Sequence, residues 1–311
     1  MNNKNFTNKT LDNNYFSNPR RIILVGFGIL VIALLTVNTL QNQENKSIAE
    51  IKKQNLLKTT ALEDKVFPKN GVSLPIVWGD LGAQMIEVGV IDATLFENIY
   101  SQRGGLDKIS KDLLYSKNNK QIVINQENAG LLLNMFWAFG LSNRNVILEE
   151  GPMMDMKYGG NAGSFASTGG WSLAVGDPMN HYSKHSFISL TNDQQEKIEN
   201  VAKNIYRPCC GNSTYFPDCN HGMAMLGLLE LLASNGATEE EMYQMALVVN
   251  SYWFPDTYLT LATYFEQQGI DWGSVNPQLV LGVDYSSGSG YQRVLKELDP
   301  IKIQSGGGCS I

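Results

Sequence analysis

The stretch HGMAMLGLLELLAS, His221–Ser234, decides how this chain folds. Met223, Leu226, Leu228, Leu229, Leu231 and Leu232 surround a helix at this spacing instead of lining one side of it. A helix that is apolar nearly all round needs protein on every face, so the stretch predicts a central buried helix. Asn235-Gly236 ends it. Upstream, Thr191-Asn192-Asp193-Gln194 is a capping box, and Ile198, Val201, Ala202 and Ile205 line one face of the helix it opens. Downstream, Thr238-Glu239-Glu240-Glu241 is a second capping box, whose helix stops at Phe254-Pro255. A further helix starts at Asp256 or Thr257, runs through Tyr258, Leu261, Ala262 and Phe265, and ends at Gly269.

Farther out, Asp92 caps a helix carrying Leu95, Phe96, Ile99 and Tyr100. Asn125 caps one carrying Leu131, Leu132, Met135, Phe136 and Phe139, which stops near Gly140. Gln121–Ile124 reads as a short strand, and 291–298 as a short helix. Residues 151–180 hold seven glycines and little periodicity, as a long surface loop does. The fold class is therefore mainly α, a helical bundle domain with a few short strands. The region 68–300 holds this domain, beginning around Val72, and 301–311 is a Gly-rich tail.

An N-terminal segment precedes it. Residues 22–40, IILVGFGILVIALLTVNTL, carry no charge, and only Thr36, Asn38 and Thr39 near the far end are polar. About 20 such residues span a bilayer, so a single transmembrane anchor is expected here, and the membrane is the first partner. Arg20-Arg21 abut the span, while the other side has no basic residue before Lys46. That asymmetry places the Asn-rich tail 1–21 in the cytoplasm and the main domain outside it, at the cell membrane. Residues 41–67 are polar and helix-prone. Ile48, Ile51, Asn55 and Leu62 fall near heptad spacing, which suits a stalk helix and a homodimer formed through it.

The 311 residues carry 24 basic and 30 acidic side chains, a net charge of −6. Such a balance argues against a nucleic-acid partner, which wants a basic face. Histidine and cysteine are scarce, three and four residues, yet six of the seven lie between positions 181 and 221. Even scattering would put about 0.9 of them in that window. The cluster centres on Arg207-Pro208-Cys209-Cys210, followed after eight residues by Cys219-Asn220-His221. Three thiols and one imidazole make a complete tetrahedral ligand set, so Cys209, Cys210, Cys219 and His221 are the candidate metal site. Cys219 and His221 flank Asn220, a natural N-cap of the buried helix. The positive end of that helix favours thiolate and disfavours imidazolium, the protonation states a metal needs. Thiolate with imidazole, and with Met153, Met154, Met156 and Met179 nearby in sequence, suits a soft ion, copper or zinc. His181 and His185, spaced i, i+4, fall in a segment that Asp177-Pro178 and Asn180 turn away from helix.

Four protein ligands leave no open position, which favours metal binding, sensing or delivery over catalysis. Two other readings use the same residues. In an oxidising compartment Cys219 can pair with Cys209 or Cys210 as a structural disulfide in an interaction domain. The three thiols can alternatively serve thiol–disulfide exchange with an envelope protein partner. On the second of these, residues 207–254 resemble the membrane-tethered thiol subunits of cytochrome c maturation: a cysteine pair, a helix, a Gly-containing turn and an acid-capped helix. The resemblance covers under a sixth of the chain and implies redox thiols. That family carries Cys-x-x-Cys, whereas this chain has adjacent Cys209-Cys210 with Cys219 and His221 in addition.

Overall fold

A computed structural model of the chain describes residues 19–102 and 104–298; of its first helix, the side chains described before Leu34 are those of Phe27 alone. The chain divides into two compact units, Met1–Thr60 and Ala61–Ile311. Helix α1 runs Pro19–Val66, and its described side chains up to Thr59 are all exposed, Ile48, Ile51, Leu56 and Leu57 among them. Among the described residues no helix is long and apolar enough to cross a membrane. Most of the stretch 22–40, where an anchor is expected, lies outside the residues whose side chains are described, as do the tails 1–18 and 301–311 with Cys309.

The second unit is mainly helical, in line with the sequence reading. Its packing starts earlier than Val72: Leu62 and Val66 at the end of α1 and Phe67 just after it are buried, and the Tyr252 hydroxyl donates to the Pro68 carbonyl at 2.7 Å. Two strands, β1 (Val72–Gly79) and β2 (Asn119–Ile124), form one antiparallel pair with Val72 opposite Ile124 and Gly79 opposite Asn119. The register shifts between Ser73 and Val77, around Pro75, which has no N–H to give to the ladder. Leu74, Ile76, Trp78, Ile122 and Ile124 alternate inward into the core. Between the strands lie α2 (Leu81–Glu87), α3 (Ala93–Ser101), capped by Asp92 as expected, and α4 (Lys108–Tyr115), capped by Asp107.

Helix α5 (Ala129–Ser142) follows, with α6 (Val146–Glu150), then α7 (Asn192–Ala202) and α8 (Asn220–Ser234). Every residue of α8 from His221 to Ala233 is buried, as its all-round apolar pattern requires. It crosses α5 at Gly140 and Gly227. A Cβ at Gly140 would stand 2.3 Å from the Met223 carbonyl oxygen, and one at Gly227 would stand 2.5 Å from that of Phe136. The two helix backbones touch there, which only glycine permits. The α5 N-cap is Asn128, not Asn125; Asn125 instead accepts from the Glu127 and Asn128 amides just before the helix.

Both expected capping boxes are present, Thr191/Gln194 on α7 and Thr238/Glu241 on α9 (Glu239–Trp253). Helix α10 (Pro255–Gln267) starts at Pro255 itself, where a missing N–H costs nothing. Short helices α11 (Pro277–Leu281), α12 (Val283–Ser286) and α13 (Gly288–Glu297) close the unit. The stretch 151–180 is a chain of 3₁₀ turns at Pro152–Met154, Met156–Tyr158, Ala162–Ser164 and Pro178–Asn180. It is pinned down by Trp171, whose indole donates to the Val90 carbonyl at 2.8 Å, and by Trp137, which donates to that of Ser167 at 2.6 Å.

Candidate metal centre

The loop between α7 and α8 doubles back on itself. The Thr214 amide donates to the Ile205 carbonyl at 2.8 Å and the Tyr215 amide to that of Ala202 at 3.1 Å, with Tyr206 and Ser213 bridged antiparallel. The turn at Arg207–Cys210 thereby comes back beside the start of α8. The Gly288 amide, at the start of α13, donates to the Cys210 carbonyl at 2.9 Å and holds the turn's far side.

Cys209 Sγ lies 3.8 Å from Cys219 Sγ, and all three thiols are free. Two groups of potential ligand atoms arise, each with all members within 4.8 Å of one another: Cys209, Cys219 and His221, and Cys210, Asp218 and Cys219. Among the described residues the three cysteines with histidine or aspartate could therefore hold a metal ion. The four residues expected from sequence do not close into one set; Cys219 is shared, and Cys210 joins Asp218 instead of His221. Cys209 and Cys210 hydrogen-bond each other as well as Cys219, and the two groups differ in whether His221 or Asp218 completes the set.

Two bonded ligands about 2.3 Å from a tetrahedral ion stand about 3.8 Å from each other. The Cys209–Cys219 separation matches, although two packed thiols also adopt it, so the imidazole carries the weight of the metal assignment. His221 is buried, with its ring centroid 4.4 Å from that of Phe254 and 5.9 Å from that of Trp253. That burial lowers its pKa to about 4, against a rise from Cys219, so the ring is neutral near pH 7. The His221 backbone amide donates to Asn220 Oδ1 at 2.9 Å, which fixes the amide oxygen on that side. Nδ1, also 2.9 Å from this oxygen, is then the protonated nitrogen, and Nε2 carries the lone pair. Asn220 is not the helix cap expected of it. Cys219 holds that position with extended backbone, and Asn220 orients the imidazole.

Cys219 is the most acidic of the three thiols. Hydrogen bonds from Cys209 and Cys210 lower its pKa, as does Arg207, against the effect of burial. Cys209 is pushed up by its hydrogen bonds with Cys210 and Cys219 and by burial. Arg207 itself is fully buried. Burial opposes its charge, but the cysteines, led by Cys219, and Asp218 outweigh that and raise its pKa. Its Nη2 donates to Asp218 Oδ1 at 2.8 Å and to the Phe216 carbonyl at 3.4 Å, while Nε and Nη1 have no hydrogen-bond partner among the described residues. Asn212 Nδ2 donates to the other Asp218 oxygen at 2.8 Å. The guanidinium thus faces both ligand groups, acting on Cys219 and His221 of the first as well, while its hydrogen-bonded ion pair is with Asp218 of the second.

Arg207 and Asp218 were not read as functional from sequence, although each directly adjoins the cysteine motifs. Of the other candidates, Met153 is fully buried in the core and Met156 is 83% exposed. The 181–185 segment is a turn, as Asp177-Pro178 and Asn180 imply, yet His181 Nδ1 and His185 Nε2 lie 3.0 Å apart with stacked rings. They bond each other and form no group with a third ligand among the described residues. No protein-family model matches the sequence, and no curated protein or solved structure matches the chain.

Proposed function

We propose that this chain binds one soft transition metal ion, copper or zinc, through Cys209, Cys219 and His221. The reading is carried by a single observation: two thiol sulfurs and a neutral imidazole within 4.8 Å of one another, at the mouth of a buried helix. Three protein ligands leave a coordination position open, and Cys209 is exposed, so the ion can exchange with an incoming thiol or another donor. That suits delivery or sensing better than permanent structural use. Cys210 is a neighbouring thiol, not a ligand of the resting site. The uncharged stretch 22–40 and the flanking Arg20-Arg21 support a membrane anchor with the metal domain outside the cytoplasm. The exposed apolar residues of the stalk, Ile48 and Ile51, are compatible with self-association.

Metal analysis of the full chain, purified under reductant and titrated with Zn(II) or Cu(I), tests the reading. We expect one ion per chain, retained in Cys210→Ser and lost in Cys219→Ser and His221→Ala. A fully reduced protein that takes up neither ion overturns it.

A further inference from the structure

We propose that Cys209 and Cys219 also form an oxidisable pair, which exchanges with a disulfide-bearing partner and releases the ion as it closes. The bond-forming half stands independently of the metal reading; the release half rests on it.

The two sulfurs already touch at 3.8 Å, and closing to a disulfide requires about 2.05 Å. One partner is fixed and the other is free to make that move. Cys219 caps α8, with Arg207 and Asp218 paired beside it. Cys209 is exposed on the turn, and two residues on, at Gly211, a Cβ would meet nothing within 4 Å. Cys210, by contrast, is tied through its carbonyl to Gly288. An incoming disulfide therefore reaches Cys209 first, and Cys219 is the sulfur waiting behind it.

The exchange runs in two displacements. Cys209 passes its proton to Cys219 Sγ beside it and, as thiolate, attacks a sulfur of R–S–S–R′; that bond breaks, a Cys209–S–S–R bond forms, and R′–S⁻ leaves, taking up that proton from Cys219. The Cys219 thiolate then attacks Cys209 Sγ, forming the Cys209–Cys219 bond and expelling R–S⁻. The pair loses two electrons and one proton, and the partner disulfide gains them as the thiol R′–SH and the thiolate R–S⁻, which protonates from water. An ion held by Cys209, Cys219 and His221 loses two of its three protein ligands in that step.

Oxidised glutathione is the probe, applied to the full chain loaded with Zn(II), with peptide mapping and a chromogenic chelator as readouts. We expect a Cys209–Cys219 disulfide with Cys210 free, loss of Zn(II) with at least a tenfold fall in affinity, and recovery on adding dithiothreitol. His221→Ala should lose Zn(II) yet form the same disulfide, and Cys210→Ser should keep both properties. A disulfide through Cys210, or only stable glutathione adducts, overturns the pair. Unchanged Zn(II) affinity in the disulfide form overturns the release. A wild-type chain that takes no Zn(II) but forms the bond overturns the metal reading and the release together, and leaves the pair standing.

Discussion

Arg207 and Glu230 are two charged residues with no exposed surface, and they solve burial in opposite ways. Arg207 stays ionised because the thiols and Asp218 surround it, and Gly222 makes room: a Cβ there would stand 2.6 Å from the guanidinium. Removing a buried partner of an ion pair leaves the remaining charge uncompensated. Arg207→Met is expected to cost about 3 kcal/mol in denaturant unfolding. A cost near zero would mean that the thiols are neutral and need no cation. Glu230 accepts at Oε2 from Asn143 Nδ2 at 2.6 Å, and Asn145 also favours its carboxylate, while Oε1 has no hydrogen-bond partner among the described residues. Burial raises its folded pKa well above the ordinary 4.5. Above that value the unfolded chain sheds a proton that the folded chain keeps, so this residue's contribution falls as pH rises from 4.5 toward the raised folded pKa. Glu230→Gln should therefore raise Tm at pH 8, with the gain shrinking toward pH 4.5. A gain equal at both pH values would assign the effect to packing.

Among the elements, α5 and α8 depend on contact between backbones more than between side chains. Glycine normally weakens a helix interior relative to alanine by up to about 1 kcal/mol. At Gly140 and Gly227 the sign should reverse, because the added methyl would meet a carbonyl oxygen of the other helix at 2.3 and 2.5 Å. Gly140→Ala is expected to cost about 3 kcal/mol by overpacking. A stabilised variant would show that the helices can slide apart at no cost. The caps of α7 and α9 are more ordinary: Thr191→Ala and Thr238→Ala should each cost about 1 kcal/mol, measured by the same unfolding assay. These capping boxes were legible because cap, N3 residue and apolar face lie within a few residues of sequence. Helices α2, α4 and α6 were not picked out, nor was β1; each is short and gains its stability from the core it covers. Cys219 in place of Asn220 as the α8 cap was equally out of reach of a local rule, since the backbone turns into helix one residue earlier than cap preference predicts.

For the second unit as a whole, an ion bound at the α8 mouth ties the loop after α7 to the central helix. Ligand at 100 times Kd adds about 2.7 kcal/mol to stability. A unit of this size should gain roughly 5–10 °C in Tm on adding Zn(II), and only while its thiols are reduced. A gain that persists in Cys219→Ser would place the ion elsewhere. By itself the sequence determined the helical class, the buried central helix and the crowding of thiols and imidazole at its start, because each follows from patterns only a few residues long. The backbone contact at Gly140 and Gly227 joins residues 87 positions apart, and nothing local marks it. Only the tertiary structure decided how the cysteine cluster divides. The turn at Arg207–Cys210 brings both of its thiols to Cys219, where Asp218 groups with Cys210 and His221 with Cys209. Spacing counts ligands along a chain, but the direction of each side chain follows from the packing of the turn against α8 and α13.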